Sequence, residues 1–216
     1  MTKIHPDLTG IKNIIFDLGR VLLNINPLLT QIELSRLGYR PDDESKGAKD
    51  DEIVIKLECG KISAEGFINA VKAIVKEGTS SANIINAWNA MLLDFPVQHV
   101  NTLRSLGNNY KIYLLSNSNQ IHFDCYTKTF RDTYGFDLSD LFDKMWFSFQ
   151  IGIVKPEPEI FTYVLQDGSL KPEETLFIDD TLMHVEAARK LGIRAFHLEG
   201  DQDISELNML LSGISG

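Results

Sequence analysis

The stretch Ile14–Asn26, IIFDLGRVLLNIN, decides how the rest of the chain is read. An apolar run leads to a single carboxylate, Asp17, and the chain then turns through Leu18, Gly19 and Arg20 before a second apolar run. The pattern predicts a buried strand that presents one acid at its end, where a nucleophile or a metal ligand would sit. The position two residues on is Gly19, which brings a backbone carbonyl and no side chain.

Working outward, apolar runs of strand length recur at 14–18 (IIFDL), 111–116 (KIYLLS), 145–149 (MWFSF), 175–179 (TLFID) and 194–198 (RAFHL). Helical patterns lie between the later ones. In TLMHVEAARKLG, Thr181–Gly192, the residues Val185, Ala188 and Leu191 share one face, with Thr181 placed to cap the start and Gly192 the end. EIFTYVLQDG, Glu159–Gly168, reads the same way. Strands alternating with helices imply an α/β fold, a doubly wound parallel sheet with both faces covered. The interval from about Asn24 to Asp94 breaks the alternation: it holds no convincing strand and reads as several helices, including AEGFINAVKAIVKEG (64–78) and SANIINAWNAML (81–92). VQHVNTLRSLG, from Val97, returns to an amphipathic helix that feeds the strand at 111. The expected organisation is a core of 1–23 and 97–216 with a small helical cap, 24–96, inserted after the first strand. Its acidic segment DDESKGAKDDE reads as a solvated face, and Phe67, Trp88 and Met91 as packing residues.

The length, 216 residues, suits one core domain plus a smaller accessory one. Acidic residues outnumber basic ones by 30 to 21, and no Lys/Arg stripe could neutralise a phosphate backbone, so nucleic acid is excluded as a partner. Cys59 and Cys125 form neither a CxxC pair nor part of a His-rich cluster and read as small buried or half-buried thiols. No apolar segment reaches signal-peptide or membrane-span length. The expectation is a cytoplasmic protein with no membrane partner, a monomer or a homodimer.

In an open parallel sheet, ligands sit beyond the carboxyl ends of the strands. Three of the predicted strand ends finish in polar residues: Asp17, then Ser116 and Asn117, then the pair Asp179 and Asp180. Two adjacent acids are costly unless a cation offsets them, and oxygen-only ligands suit Mg²⁺. Ser116 and Asn117 offer donors where an anion could lie. Lys155, in VKPEPEIF, is followed by Pro156 and Pro158, which stiffen the start of a helix. Three carboxylates are balanced by Mg²⁺ and Lys155, so the site approaches neutrality and can accept a phosphate dianion.

The ordered motifs FDLG, LLSNSN, KPEPEIF and FIDDT, with a helical insertion after the first, resemble the haloacid dehalogenase-like hydrolases, and among them the sugar-phosphatase-like members with a helical cap. The resemblance implies a Rossmann-like core, Mg²⁺ and a phosphoaspartyl intermediate. Matching positions imply Asp17 as nucleophile and metal ligand, the Gly19 carbonyl and Asp180 as further metal ligands, and Asp179 behind them in support of catalysis. Ser116 and the Asn117 backbone would hold the phosphoryl oxygens, and Lys155 would orient Asp17 and offset developing charge. The chain departs from the family at Gly19, where most such phosphatases carry an Asp that protonates the leaving group and then activates water. Arg20 cannot replace it as a base, because guanidinium stays protonated. His184 and His122 are two candidate replacements, each also readable as structural. The leading expectation is a Mg²⁺-dependent phosphatase acting on a small phosphorylated metabolite such as a sugar phosphate. The alternatives are a 2-haloacid dehalogenase, which the acid pair argues against, a phosphomutase, and a non-catalytic binder of phosphorylated metabolites.

Overall fold

The computed structural model describes residues 6–40, 52–200 and 202–206. Five strands form one parallel sheet: β1 (Asn13–Phe16), β2 (Lys111–Ser116), β3 (Lys144–Phe147), β4 (Thr175–Asp179) and β5 (Arg194–His197), in the order β3-β2-β1-β4-β5. The first strand in sequence is therefore central, and the order reverses on either side of it. That reversal opens a crevice at the carboxyl edge above β1.

Alternation along the strands sorts the core into two layers. Ile14, Phe16, Ile112, Leu114, Leu176 and Ile178 point to the face covered by α5 (Val97–Leu106) and α6 (Gln120–Tyr134). Ile15, Tyr113, Leu115 and Phe177 point to the opposite face, against Phe161 of α8 (Pro158–Asp167) and Ala188 of α9 (Leu182–Lys190). A sheet covered on both sides needs apolar residues at consecutive strand positions, which is why β1 and β4 contain the unbroken apolar runs Ile14–Phe16 and Leu176–Ile178.

Between β1 and α5 lie α1 (Pro27–Arg36), a helix over 52–58 (α2), α3 (Ala64–Lys72) and α4 (Ser81–Asn89). Asn26, Ser63 and Ser80 cap α1, α3 and α4 by accepting the N–H of Leu28, Gly66 and Asn83. These helices bury a cluster of their own, including Leu57, Phe67, Val71, Ile84 and Trp88. The two crossings between this helical unit and the sheet pair with each other. Asn24 N–H donates to Asp94 O, Leu93 N–H to Asn24 O and Asn26 N–H to Met91 O, a short antiparallel ribbon around the Ile25–Leu92 bridge.

The differences from the sequence reading are local. β1 stops at Phe16, so Asp17 stands just beyond it. The run expected as strand through Phe149 turns helical as α7 (Ser148–Ile151), because the Ser148 hydroxyl bonds the backbone N–H and C=O of Ser118 and bends the chain across the sheet edge. α3 ends at Lys72, and the chain then crosses to α1, where Lys76 N–H reaches Leu37 O. α4 ends at Asn89. Thr181 precedes α9 as expected, but its side chain does not cap the helix; Gly192, at φ +81°, follows the helix end. Apart from Glu52, the acidic segment falls outside the described residues. Cys59 and Cys125 are free thiols, one buried and one half-buried. Among the described residues no helix is long and apolar enough to cross a membrane.

Candidate active site

Register brings the acids together. Phe16 is level with Leu114 of β2 and Ile178 of β4, so the next residues, Asp17 and Asp179, stand side by side on adjacent strands at the carboxyl edge. Both follow the apolar residues of the α8/α9 face by an even number of positions, and from that face Lys155 enters, in the loop before α8. Its ammonium donates to Asp17 Oδ1 at 2.7 Å, Asp179 Oδ2 at 2.6 Å and the Leu115 carbonyl at 3.0 Å, which uses all three of its N–H bonds. The same ammonium lies 5.3 Å above the Phe177 ring. Lys155 is 2% exposed and Asp179 0%, so the three charges share one desolvated cluster at the base of the crevice.

The charges are arranged unequally. Burial pushes Asp17 up to about 6, the Asp179 charge adds to this, and Lys155 opposes it. Asp179 is also buried, but Lys155 and His184 outweigh the burial and hold it at about 2. Lys155 is raised, because its two carboxylates outweigh desolvation. Asp179 is thus the fixed anion that anchors Lys155, whereas Asp17 is the carboxylate whose charge a further cation would secure. Oxygen atoms of Asp17, Asp179 and Asp180 lie within 4.8 Å of one another, a hard-donor set of the kind that suits a small divalent cation. Asp180 also lies 3.7 Å from the Arg20 guanidinium, and its carbonyl is 2.9 Å from His197 Nε2.

The turn after Asp17 folds back on itself. Leu22 and Leu23 N–H donate to Leu18 O, and Arg20 N–H to Leu23 O. Arg20 takes φ +61°, the left-handed region that a side chain disfavours, while Gly19 does not need it. Asp17, Gly19, Arg20, Ser116, Asn117, Lys155, Asp180 and His184 then line one cleft of about 370 Å³, roofed by residues of the helical unit such as Val54, Glu58, Trp88 and Met91.

The structure gives four residues placements that the sequence did not announce. The Asn117 side chain clamps the Lys155 backbone: its Nδ2 donates to Lys155 O at 2.9 Å and its Oδ1 accepts Lys155 N–H at 2.8 Å. His122 is neutral, its pKa lowered to about 4 by burial, with Nδ1 accepting from Asn119 and Nε2 donating to Trp88 O. It ties α6 to α4 and has no nitrogen left for proton transfer. His184 Nδ1 lies 3.0 Å from both Asp179 oxygens. Glu58 of α2, which no motif marks, faces the cleft from the helical side. Only the placement of α2 over the sheet edge reveals it.

Comparison with known proteins agrees with this geometry. A family model described as haloacid dehalogenase-like hydrolase matches residues 11–192. A D-ribitol-5-phosphate phosphatase of Bacteroides thetaiotaomicron is 30% identical over 205 residues, 94% of this chain and 99% of the relative. A crystal structure of a haloacid dehalogenase-family enzyme from the same organism, in complex with magnesium and inorganic phosphate, superposes with a TM-score of 0.85 at 33% identity, covering 92% of this chain and 99% of that one. A 2-haloacid dehalogenase from Pseudomonas syringae, at 18% identity and a TM-score of 0.63 over 94% of this chain and 98% of its own, shares the fold. A central strand followed at once by a buried aspartate, a buried lysine shared with a second aspartate, and this family match lead to one statement: the chain belongs to the haloacid dehalogenase-like hydrolase family.

Proposed function

We propose that this chain is a Mg²⁺-dependent phosphatase that hydrolyses a small phosphorylated metabolite, a sugar or polyol phosphate, through a phosphoaspartyl intermediate on Asp17. The observation that carries the reading is the Lys155 ammonium shared between Asp17 and Asp179 at the floor of the cleft. Asp17, the Gly19 carbonyl and Asp180 would hold the metal, which when bound would offset phosphate charge and keep Asp17 ionised. Residues 24–96 act as a cap that selects the substrate, over a core of 1–23 and 97–216. The ribitol-phosphate phosphatase and the magnesium–phosphate complex among the relatives support the substrate class and the metal.

Ser116 and the Asn117 backbone receive the phosphoryl oxygens at the carboxyl end of β2. The Asp17 carboxylate attacks phosphorus, the ester P–O bond breaks, and its electron pair leaves on the sugar oxygen. Lys155 offsets the charge that gathers on the phosphoryl group and holds Asp17 in line. Water then attacks phosphorus and the Asp17–phosphorus bond breaks, which returns the carboxylate and releases inorganic phosphate. Asp179 positions Lys155 throughout.

The test is a magnesium-supplemented assay of phosphate release from D-ribitol 5-phosphate and a panel of sugar and polyol phosphates, with Asp17→Asn as control. Turnover by the wild type and none by the variant is expected, because an amide of nearly the same shape is a poor nucleophile. Chloride release from 2-chloropropionate in the presence of chelator would identify a dehalogenase instead. Retained turnover in Asp17→Asn would overturn the covalent mechanism.

A further inference from the structure

Gly19 leaves the site without the side-chain acid that would protonate the departing sugar oxygen, and the cleft itself shows where a substitute can stand. Displacement at phosphorus runs in line, so the leaving oxygen lies opposite Asp17, on the side of the cleft roofed by the helices. Among the described residues that line the cleft, the titratable ones are Asp17, Arg20, Glu58, His122, Tyr126, Lys155, Asp180 and His184. Seven of these belong to the sheet side. Lys155 has spent its three N–H bonds, both His122 nitrogens are engaged, and Arg20 holds its proton permanently. Burial pushes the Tyr126 phenol far above its ordinary range. His184 commits its Nδ1 to Asp179, beside Asp17 at the floor and so across the phosphorus from the leaving oxygen. Glu58 alone comes from the roof.

We propose that Glu58, carried by α2 of the cap, is the general acid and base of the reaction, supplying from above what Gly19 does not supply from below. The inference rests on the phosphatase reading. Its carboxyl is half-buried and has no hydrogen-bond partner among the described residues. Burial pushes it up from the ordinary carboxylate range, with His184 pulling the other way, so a protonated fraction persists nearer neutrality than in a free glutamate. In the first half-reaction Glu58 gives its proton to the sugar oxygen as the P–O bond breaks, so the alcohol leaves neutral. In the second, the Glu58 carboxylate takes a proton from the attacking water, and the resulting hydroxide bonds to phosphorus as the Asp17 ester bond breaks. Substrate and water become alcohol and hydrogen phosphate, and both carboxyl groups return to their starting states.

A proton donor matters most where the leaving group is poor. We therefore compare kcat/KM for Glu58→Gln and wild type on ribitol 5-phosphate, an alkyl ester, and on 4-nitrophenyl phosphate, whose phenolate leaves without help. General acid/base catalysis is worth about 10²–10⁴-fold, so a loss of about 100-fold or more is expected on the alkyl ester, with a loss at least ~10-fold smaller on the aryl ester. Adding Gly19→Asp to Glu58→Gln should restore alkyl ester turnover. A Cβ at Gly19 meets only the flexible end of Ile25, at 3.0 Å, and Gly19 needs no left-handed backbone. Thermal unfolding of each variant shows whether the fold is kept. Equal losses on the two esters, or no loss, would overturn the role of Glu58. A wild type that cleaves the aryl ester but no alkyl phosphate would overturn it while leaving the phosphatase reading intact, and one that cleaves neither would overturn both.

Discussion

Lys155 joins the two acids at the base of the cleft. It is buried between Asp17 and Asp179, with side chains 0%, 12% and 0% exposed, and its cost of desolvation is met only because both carboxylates and a carbonyl bond it. Lys155→Met keeps much of the volume and removes the charge, which leaves two buried acids facing each other. Loss of one partner from such a cluster destabilises by about 3–5 kcal/mol at neutral pH. Acidification should recover part of that loss as one of the acids takes up a proton. The rate should fall about 10²–10³-fold, the cost of deleting one preorganised charge donor. Denaturant unfolding at two pH values and steady-state kinetics check both arms; an unchanged rate would make Lys155 purely structural.

At the scale of elements, two contacts tie neighbouring elements together. Asn117, at the end of β2, grips the loop before α8 through both its amide groups. Asn117→Ala removes two hydrogen bonds to backbone groups, at about 1–3 kcal/mol for polar groups left unsatisfied, and lets the Lys155 loop drift. Both Tm and kcat should fall, and a change in KM alone would show that Asn117 only contacts substrate. His122 links α6 to α4 while neutral, its folded pKa of about 4 lying below the ordinary 6.5. A histidine depressed on folding binds its proton more readily in the unfolded chain, so stability is lost as pH falls from 6.5 toward 4. The loss reaches about 3 kcal/mol for a shift of this size. His122→Gln should flatten that part of the pH–stability curve, and the difference between the two curves isolates His122 from the carboxylates that titrate in the same range. An identical curve would show that the histidine is not the responsive group.

For the whole molecule, metal binding and folding are linked, because a ligand that binds only the native state stabilises it. Magnesium at roughly 100 times its Kd should add about 2.7 kcal/mol, several degrees of Tm, and a chelator should remove it. Asp180→Ala should abolish this shift, whereas Asp179→Ala should keep much of it while losing activity through Lys155. Equal loss in both would place Asp179 among the metal ligands. The sequence by itself determined the class of the molecule. Consecutive apolar residues at 14–16 and 176–178 announce strands buried on two faces, and the acids that follow them are legible because polar side chains after such strands point to a site. Its strand positions held to within a few residues, since periodicity is a local property. Only the tertiary structure decided which side chains face the chemistry. Strand register set Asp17 beside Asp179, Asn117 turned its amide to the Lys155 backbone, His122 was spent on Trp88, and α2 brought Glu58 over the crevice. Those outcomes depend on contacts between residues more than a hundred positions apart in some cases and on how helices pack above a sheet edge, and neither leaves a periodic trace in the chain.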